Sequence, residues 1–278
     1  MSASAGTFQP MVSVRGSTGR ITTGWSGRSV GPKGGMAISQ AVNIAIDAMK
    51  IGNDNLCINF IFIIISCSIF HYTTSVTDMA FMFQGCGKLS SQMDLSKWDV
   101  SKVENMQYLF SGCQSVPSLN VLGWNVAKVT NFTSVFSSCS SLTELDVENW
   151  DVSAATSMQE MFYNCSGLTS LDLSAWGDKL NGVTTMQQMF QGCSSLTSLN
   201  VSTWDVSTVT NMYGMFRGCS ALTSLNISDW NVQNVTSMGE LFCDCKGLTK
   251  IDLSGWNTVA LTNTSYMFAK CYNLERIG

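Results

Sequence analysis

From residue 71 onward the chain switches between two apolar spacings. In the stretch that ends at Cys165, Met158, Met161, Phe162 and Cys165 fall at i, i+3, i+4 and i+7. That spacing marks one face of a two-turn α-helix. Thr156 stands just ahead of it, with Gln159 three residues later, and the pair reads as a capping box. Thr184 with Gln187 repeats the box, and Thr77, Thr130, Thr210, Thr236 and Thr262 hold the same position elsewhere. A few residues on, Leu171 and Leu173 alternate with Ser170, Asp172 and Ser174, the period of a half-buried strand. A tryptophan closes the strand segment. An Asp-Val-Ser or Asn-Val turn then returns an apolar group (Val152, Val206, Val232) to the core.

This pattern keeps time. Trp98, Trp124, Trp150, Trp176, Trp204, Trp230 and Trp256 recur every 26 residues, except for one step of 28 between Trp176 and Trp204. Cys86, Cys113, Cys139, Cys165, Cys193, Cys219, Cys245 and Cys271 beat with the same period. The two extra residues fall in GDKLNG, before Met186, and are expected to bulge as a loop. A unit this short cannot bury its own apolar face and must stack on its neighbours. The expected fold is therefore α/β, a leucine-rich-repeat-like solenoid of about eight 26-residue strand-plus-short-helix units.

The consensus W-[DN]-V-S-x-V-T-x-M-x-x-M-F-x-x-C-x-x-L-x-x-L-[DN]-[LVI]-S resembles the BspA-like leucine-rich-repeat surface proteins, found in bacteria and in some microbial eukaryotes. The resemblance covers about three quarters of the chain and leaves residues 1–70 outside it. That family commonly carries Phe where this chain has Trp. The resemblance implies a strand-and-short-helix solenoid, exposed on a cell surface and used for adhesion or binding. It carries over no catalytic residue.

Ahead of the repeats the pattern changes. Residues 1–36 are rich in Gly, Ser and Thr, with Arg15, Arg20, Arg28 and Lys33 among them, and read as a flexible tail. Residues 37–70 combine a cap helix and an apolar segment. Ile38, Ala41, Val42, Ala45, Ile46 and Met49 have the spacing of an amphipathic helix, suited to cover the first unit's open core. Leu56 to Tyr72 reads LCINFIFIIISCSIFHY, and three readings of it stand. A signal anchor has the right flanks, with the basic residues before it. A β-rich first unit suits its Ile and Phe content. An error in the predicted coding sequence is the third. Residues 71–278 form the repeat region, and the chain stops as the eighth strand begins, which leaves an apolar end and an open strand edge.

Composition narrows the partners. Net charge is −4 and pI about 4.9, so nothing favours a nucleic-acid surface. No enzyme constellation is visible: His71 is the only histidine, and there is no triad and no phosphate-cradling glycine loop. No cofactor is implied. The cysteine ladder admits three readings. Small apolar core positions suit free thiols best, inter-unit disulfides come next, and zinc is opposed by the absence of any C-x-x-C pair.

The candidate binding face is the outer side of the strands. Asp146, Asp172, Asn200, Asn226 and Asp252 follow the strand leucine and alternate with it, flanked by Glu144 and Lys250. Such a row suits a protein or glycan ligand, or it simply solvates the face. The expected function is a non-catalytic recognition or adhesion module, at a cell surface or membrane-anchored with the repeats outside. The alternatives are a structural protein that self-associates through its C-terminal end, and a cytoplasmic interaction scaffold.

Overall fold

The computed structural model describes residues 9–13, 22–26, 73–89 and 93–278. Within the first 36 residues, β1 (Gln9–Ser13) pairs antiparallel with β2 (Thr22–Ser26). The expected cap helix and the apolar stretch Leu56 to Tyr72 lie outside the described residues.

In the repeats, strands are short and paired two by two, all parallel. β3 (Met93–Asp94) pairs with β4 (Leu119–Asn120), β5 (Ser170–Asp172) with β6 (Ser198–Asn200), and β7 (Lys250–Ile251) with β8 (Arg276–Ile277). A 3-10 helix, Ser174–Lys179, follows β5. No α-helix occurs among the described residues. The expected α/β leucine-rich-repeat-like solenoid of strand-plus-short-helix units is therefore overturned. What forms is a set of turn-rich coils with small parallel sheets.

The backbone donors of one unit show why. Met158, Glu160, Phe162 and Asn164 donate their N–H groups to Thr185, Gln187, Met189 and Gln191 of the next repeat, at 3.1, 2.9, 2.9 and 2.6 Å. The residues between them turn inward. Met161 donates to Met158, Tyr163 to Glu160 and Cys165 to Phe162, at 3.3, 3.0 and 3.1 Å. Every other donor thus bonds across to the neighbouring coil, and the rest close tight turns. A helix would have used all of them within its own chain. The turns demand left-handed corners: φ is 56° at Glu160 and 54° at Asn164. An L-residue in that conformation cannot continue a right-handed helix. The same two positions are left-handed along the array, for example Tyr108, Gln188 and Glu240 in one column and Gly112, Gly192 and Asp244 in the other.

The capping boxes dissolve with the helices. Thr156 Oγ1 donates to the Thr130 carbonyl at 3.0 Å, and Thr184, Thr210, Thr236 and Thr262 each do the same to the threonine of the preceding repeat. Gln159 Nε2 donates to Glu160 Oε1 instead of reaching back. The most regular ladder runs beside these threonines, not at the leucine strands. Asp78, Asn105, Asn131, Ser157, Thr185, Asn211, Ser237 and Asn263 form parallel bridges, one residue per repeat.

Inside, like stacks on like. Phe83, Phe110, Phe136, Phe162, Phe190, Phe216, Phe242 and Phe268 form one column, with neighbouring centroids 5.3–5.8 Å apart and rings within 12° of parallel. Offset stacking of this kind adds about 0.5–1.5 kcal/mol per pair to the gain from burial. Met158, Met161, Cys165, Leu168 and Val152 are fully buried beside it, as their spacing predicts. Tryptophans stack as Trp98–Trp124–Trp150 and again as Trp176–Trp204–Trp230, with the extra residues of the long repeat following Trp176.

Candidate binding face

The outer strand face follows from the alternation. Leu171, Leu199, Leu225 and Ile251 point inward and are buried. Glu144, Asp146, Asp172, Asn200, Asn226, Lys250 and Asp252 are all exposed. Register makes them neighbours in space. Ser170 and Asp172 lie opposite Ser198 and Asn200, Glu144 bridges to Ser118, and Lys250 lies opposite Arg276. Arg276 escaped the sequence reading, although it stands 26 residues after Lys250 and so continues its column.

The ladder residues also shape their own turns. Asp172 Oδ1 accepts the Ser174 N–H at 3.0 Å, and Asp252 Oδ1 accepts that of Ser254 at 3.0 Å. Asn200 and Asn226 accept from the hydroxyls of Ser202 and Ser228. These local bonds favour the charged form. The backbone bond from Ser174, ahead of its side-chain bond, holds Asp172 below the usual carboxylate range, and the bonds from Ser254 do so for Asp252. Each aspartate thus fixes its turn with one carboxylate oxygen and keeps a second, while each asparagine fixes its turn with its only side-chain oxygen and keeps the Nδ2 donor.

Two concavities interrupt this face. Ser224, Asn226, Lys250, Asp252, Arg276 and Gly278 surround an open groove of about 400 Å³ floored by Leu225 and Ile251. A second hollow, about 260 Å³, lies between two earlier repeats, where Asp146 meets Gly123, Trp124, Asn149 and Trp150. The structure thus brings Asn226, Lys250 and Asp252 together and sets Asp146 apart. Asp172 and Asn200 line neither concavity.

The cysteines have a different role. Cys113, Cys139, Cys165, Cys193, Cys219 and Cys245 are buried thiols outside any disulfide, and each Sγ donates to the phenylalanine carbonyl of the preceding repeat at 3.0–3.2 Å. Burial pushes the thiols of Cys139 and Cys193 up to about 12 and those of Cys165 and Cys219 well above their ordinary value. Thiolate chemistry needs the ionised form, so these positions act in packing and hydrogen bonding. Among the described residues no cluster of three or more His, Cys, Asp or Glu could hold a metal ion. No helix among them is long and apolar enough to cross a membrane.

On the turn side, a polar cluster went unnoticed in the sequence. Tyr213 donates its hydroxyl to Glu240 Oε1 at 2.6 Å, and Arg217 pairs with the other oxygen of the same carboxylate. The hydrogen bond to Glu240, more than burial, raises the Tyr213 phenol.

Comparison with curated proteins and with solved structures found no match. A family profile described as "Mycoplasma protein of unknown function, DUF285" matches residues 68–176 and again 184–277. The break between the two matches, residues 177–183, falls on the end of the 3-10 helix and the loop after it, where the two extra residues lie. With the repeats on either side of that loop matched and stacked in register, the chain belongs to this family of repeat-containing proteins.

Proposed function

We propose that the repeat array is a non-catalytic recognition module that binds a protein or a glycan through the outer face of its strands. The observation that carries this reading is the register of the face. Exposed carboxylates, amides and hydroxyls stand in columns over a buried apolar row, and they converge with Lys250 and Arg276 on the open groove. Polar groups held by their own turns are preorganised, so a ligand does not have to order them. The resemblance to BspA-like surface proteins supports placing the module at a cell surface in an adhesive role. The test uses the full chain in a glycan-array and cell-adhesion assay, beside a variant carrying Asp172→Ser, Asn200→Ser and Asn226→Ser. Serine can still close the local turns, so the fold is expected to survive. Binding that persists in the variant at an unchanged melting temperature counts against the face.

A second reading has its own observation. In the last repeat Trp256, Leu261, Met267, Phe268, Cys271 and Leu274 are only partly buried, whereas their counterparts in the inner repeats are buried. Every inner repeat covers this set with a copy of itself. The alternative function is self-association, with these side chains packed against a second copy of the chain. Light scattering over a concentration series separates the readings; a strict monomer at high concentration sinks the second.

A further inference from the structure

One stretch of the array is charged unlike the rest. Between Lys128 and Lys179 no Lys, Arg or His occurs, and seven acids do. Four of them, Glu144, Asp146, Glu148 and Asp151, belong to a single repeat, and all four are exposed. The fold requires none of them. Ser118, Ser170, Ser198 and Ser224 stand at the position of Glu144, and Asn120, Asn200 and Asn226 at that of Asp146. Ser174, Ser202, Ser228 and Ser254 take the place of Glu148, and Asn125, Asn231 and Asn257 that of Asp151. Like charges held together repel and oppose the compact state. Neutral residues close the same turns elsewhere, so the reason for the charge lies outside the fold.

The smaller hollow lies in this repeat. It measures about 260 Å³, and Asp146 and Asp151 line it together with Asn125, Asn149 and Leu122. Leu122 occupies a position held elsewhere by Ser96, Glu148, Ser174, Ser202, Ser228 and Ser254, and it is 59% exposed. An apolar side chain thus stands in the open beside two carboxylates. Asp146 is also spared the task of its counterparts. Asp172 and Asp252 each accept the N–H of the serine two residues on, whereas Asp146 has no such bond. Both of its carboxylate oxygens remain available as acceptors.

These features are the complement of one kind of side chain. Arginine joins an apolar stem to a planar cationic head. The stem fits the exposed Leu122. The head can pair with a carboxylate through two parallel N–H bonds, and a guanidinium is more weakly hydrated than an ammonium, so it leaves water at lower cost than lysine. The volume lies below the roughly 300–1,000 Å³ of drug-sized sites and suits a single long side chain. Glu144 and Glu148 extend the negative field beyond the hollow, toward further basic residues on the same partner. We propose that this repeat docks an arginine-rich segment of a partner protein, with one arginine in the hollow. The assignment rests on the recognition reading of the strand face, to which Glu144 and Asp146 belong, and narrows its partner to a basic polypeptide.

The test is fluorescence anisotropy of the full chain with short labelled peptides in which Ser alternates with Arg, Lys or Glu. Methyl NMR of leucine-labelled chain locates the contact, with the Leu122 signal identified by its loss in Leu122→Ser. The arginine peptide is expected to bind tightest, to weaken as salt rises, and to move the Leu122 signal. Asp146→Asn is expected to weaken it roughly three- to tenfold. Glu144→Ser, Asp146→Asn, Glu148→Ser and Asp151→Asn together give each position a residue that other repeats carry there, so the melting temperature is expected to hold while binding falls about tenfold or more. Asp205→Asn with Asp229→Asn removes the same charge as Asp146→Asn with Asp151→Asn, but from later repeats, and is expected to leave binding unchanged. Equal losses in these two pairs mean attraction by net charge alone and overturn the site. An unmoved Leu122 signal, or equal binding of the glutamate peptide, overturns the proposal, and equal binding of the lysine peptide overturns the choice of arginine. The strand-face variant Asp172→Ser, Asn200→Ser and Asn226→Ser keeps all four acids. Loss of adhesion in that variant, beside an arginine peptide that never binds, refutes this inference alone.

Discussion

Gly214→Ala distinguishes stacked turns from short helices by the sign of its effect. Gly214 sits at φ +60° in the column whose other members, Phe81, Tyr108, Ser134, Glu160, Gln188, Glu240 and Tyr266, lie at φ 55–63°. In the helical reading this column is mid-helix, and alanine there would stabilise by about 0.8–1.0 kcal/mol. In the observed turn a Cβ forces the left-handed cost of about 1–2 kcal/mol, and the lower entropy of the unfolded chain returns only about 0.4–1 kcal/mol. The net loss is on the order of 1 kcal/mol. For a repeat region of this size that is a fall of about 2–4 °C in melting temperature. Packing adds little, because a Cβ at this position would meet the flexible Gln188 Cγ and Gln191 Oε1 at 3.3 Å. Gly214→Asn separates backbone from bulk: Asn tolerates the left-handed region better than Ala, so the expected stability order is Gly, Asn, Ala. Equilibrium urea unfolding followed by tryptophan fluorescence, with a thermal melt beside it, measures both variants. Stabilisation by alanine would refute the turn assignment, and a larger loss for Asn than for Ala would refute the backbone argument.

Three further outcomes are expected. Phe162→Ala removes a fully buried ring stacked on Phe136 and Phe190 and should cost about 3–5 kcal/mol; Phe268→Ala, half-buried with one stacked neighbour, should cost clearly less by the same urea measurement. Cys139 and Cys193 stay protonated in the fold up to about 12 against an ordinary 9.0. The unfolded chain therefore loses these protons first, and the stability they contribute is complete below about pH 9 and falls as pH rises from there toward 12, by up to about 1.4 kcal/mol per pH unit for each thiol; a flat urea midpoint from about pH 8 to about pH 11, or one unaltered by Cys139→Val and Cys193→Val, would contradict this. Trp230→Phe should cost about 1 kcal/mol more than Trp150→Phe, because only Trp230 loses an indole hydrogen bond, to Val201 at 3.1 Å; equal losses would contradict the asymmetry.

Much of the candidate face was legible in the residues themselves. Alternation alone placed Leu171 inside and Asp172 outside, and the period put Asp172 beside Asn200. Arg276 was equally legible from its spacing, 26 residues after Lys250. The smaller hollow was not legible. Leu122 looks like a tolerated variant of the usual serine until it is seen exposed in the hollow that Asp146 and Asp151 also line.

The sequence by itself determined the 26-residue period, the need to stack, and which side chains face in, because burial follows spacing whatever the backbone does between apolar positions. Only the tertiary structure decided between helix and turn. The i, i+3, i+4, i+7 spacing of Met158, Met161, Phe162 and Cys165 is met equally by two helical turns and by two tight turns with left-handed corners at Glu160 and Asn164. The difference lies in where the backbone N–H groups go. Carbonyls of the next repeat, at Thr185, Gln187, Met189 and Gln191, become available only once the coils are stacked, and bonding to them leaves too few donors for a helix.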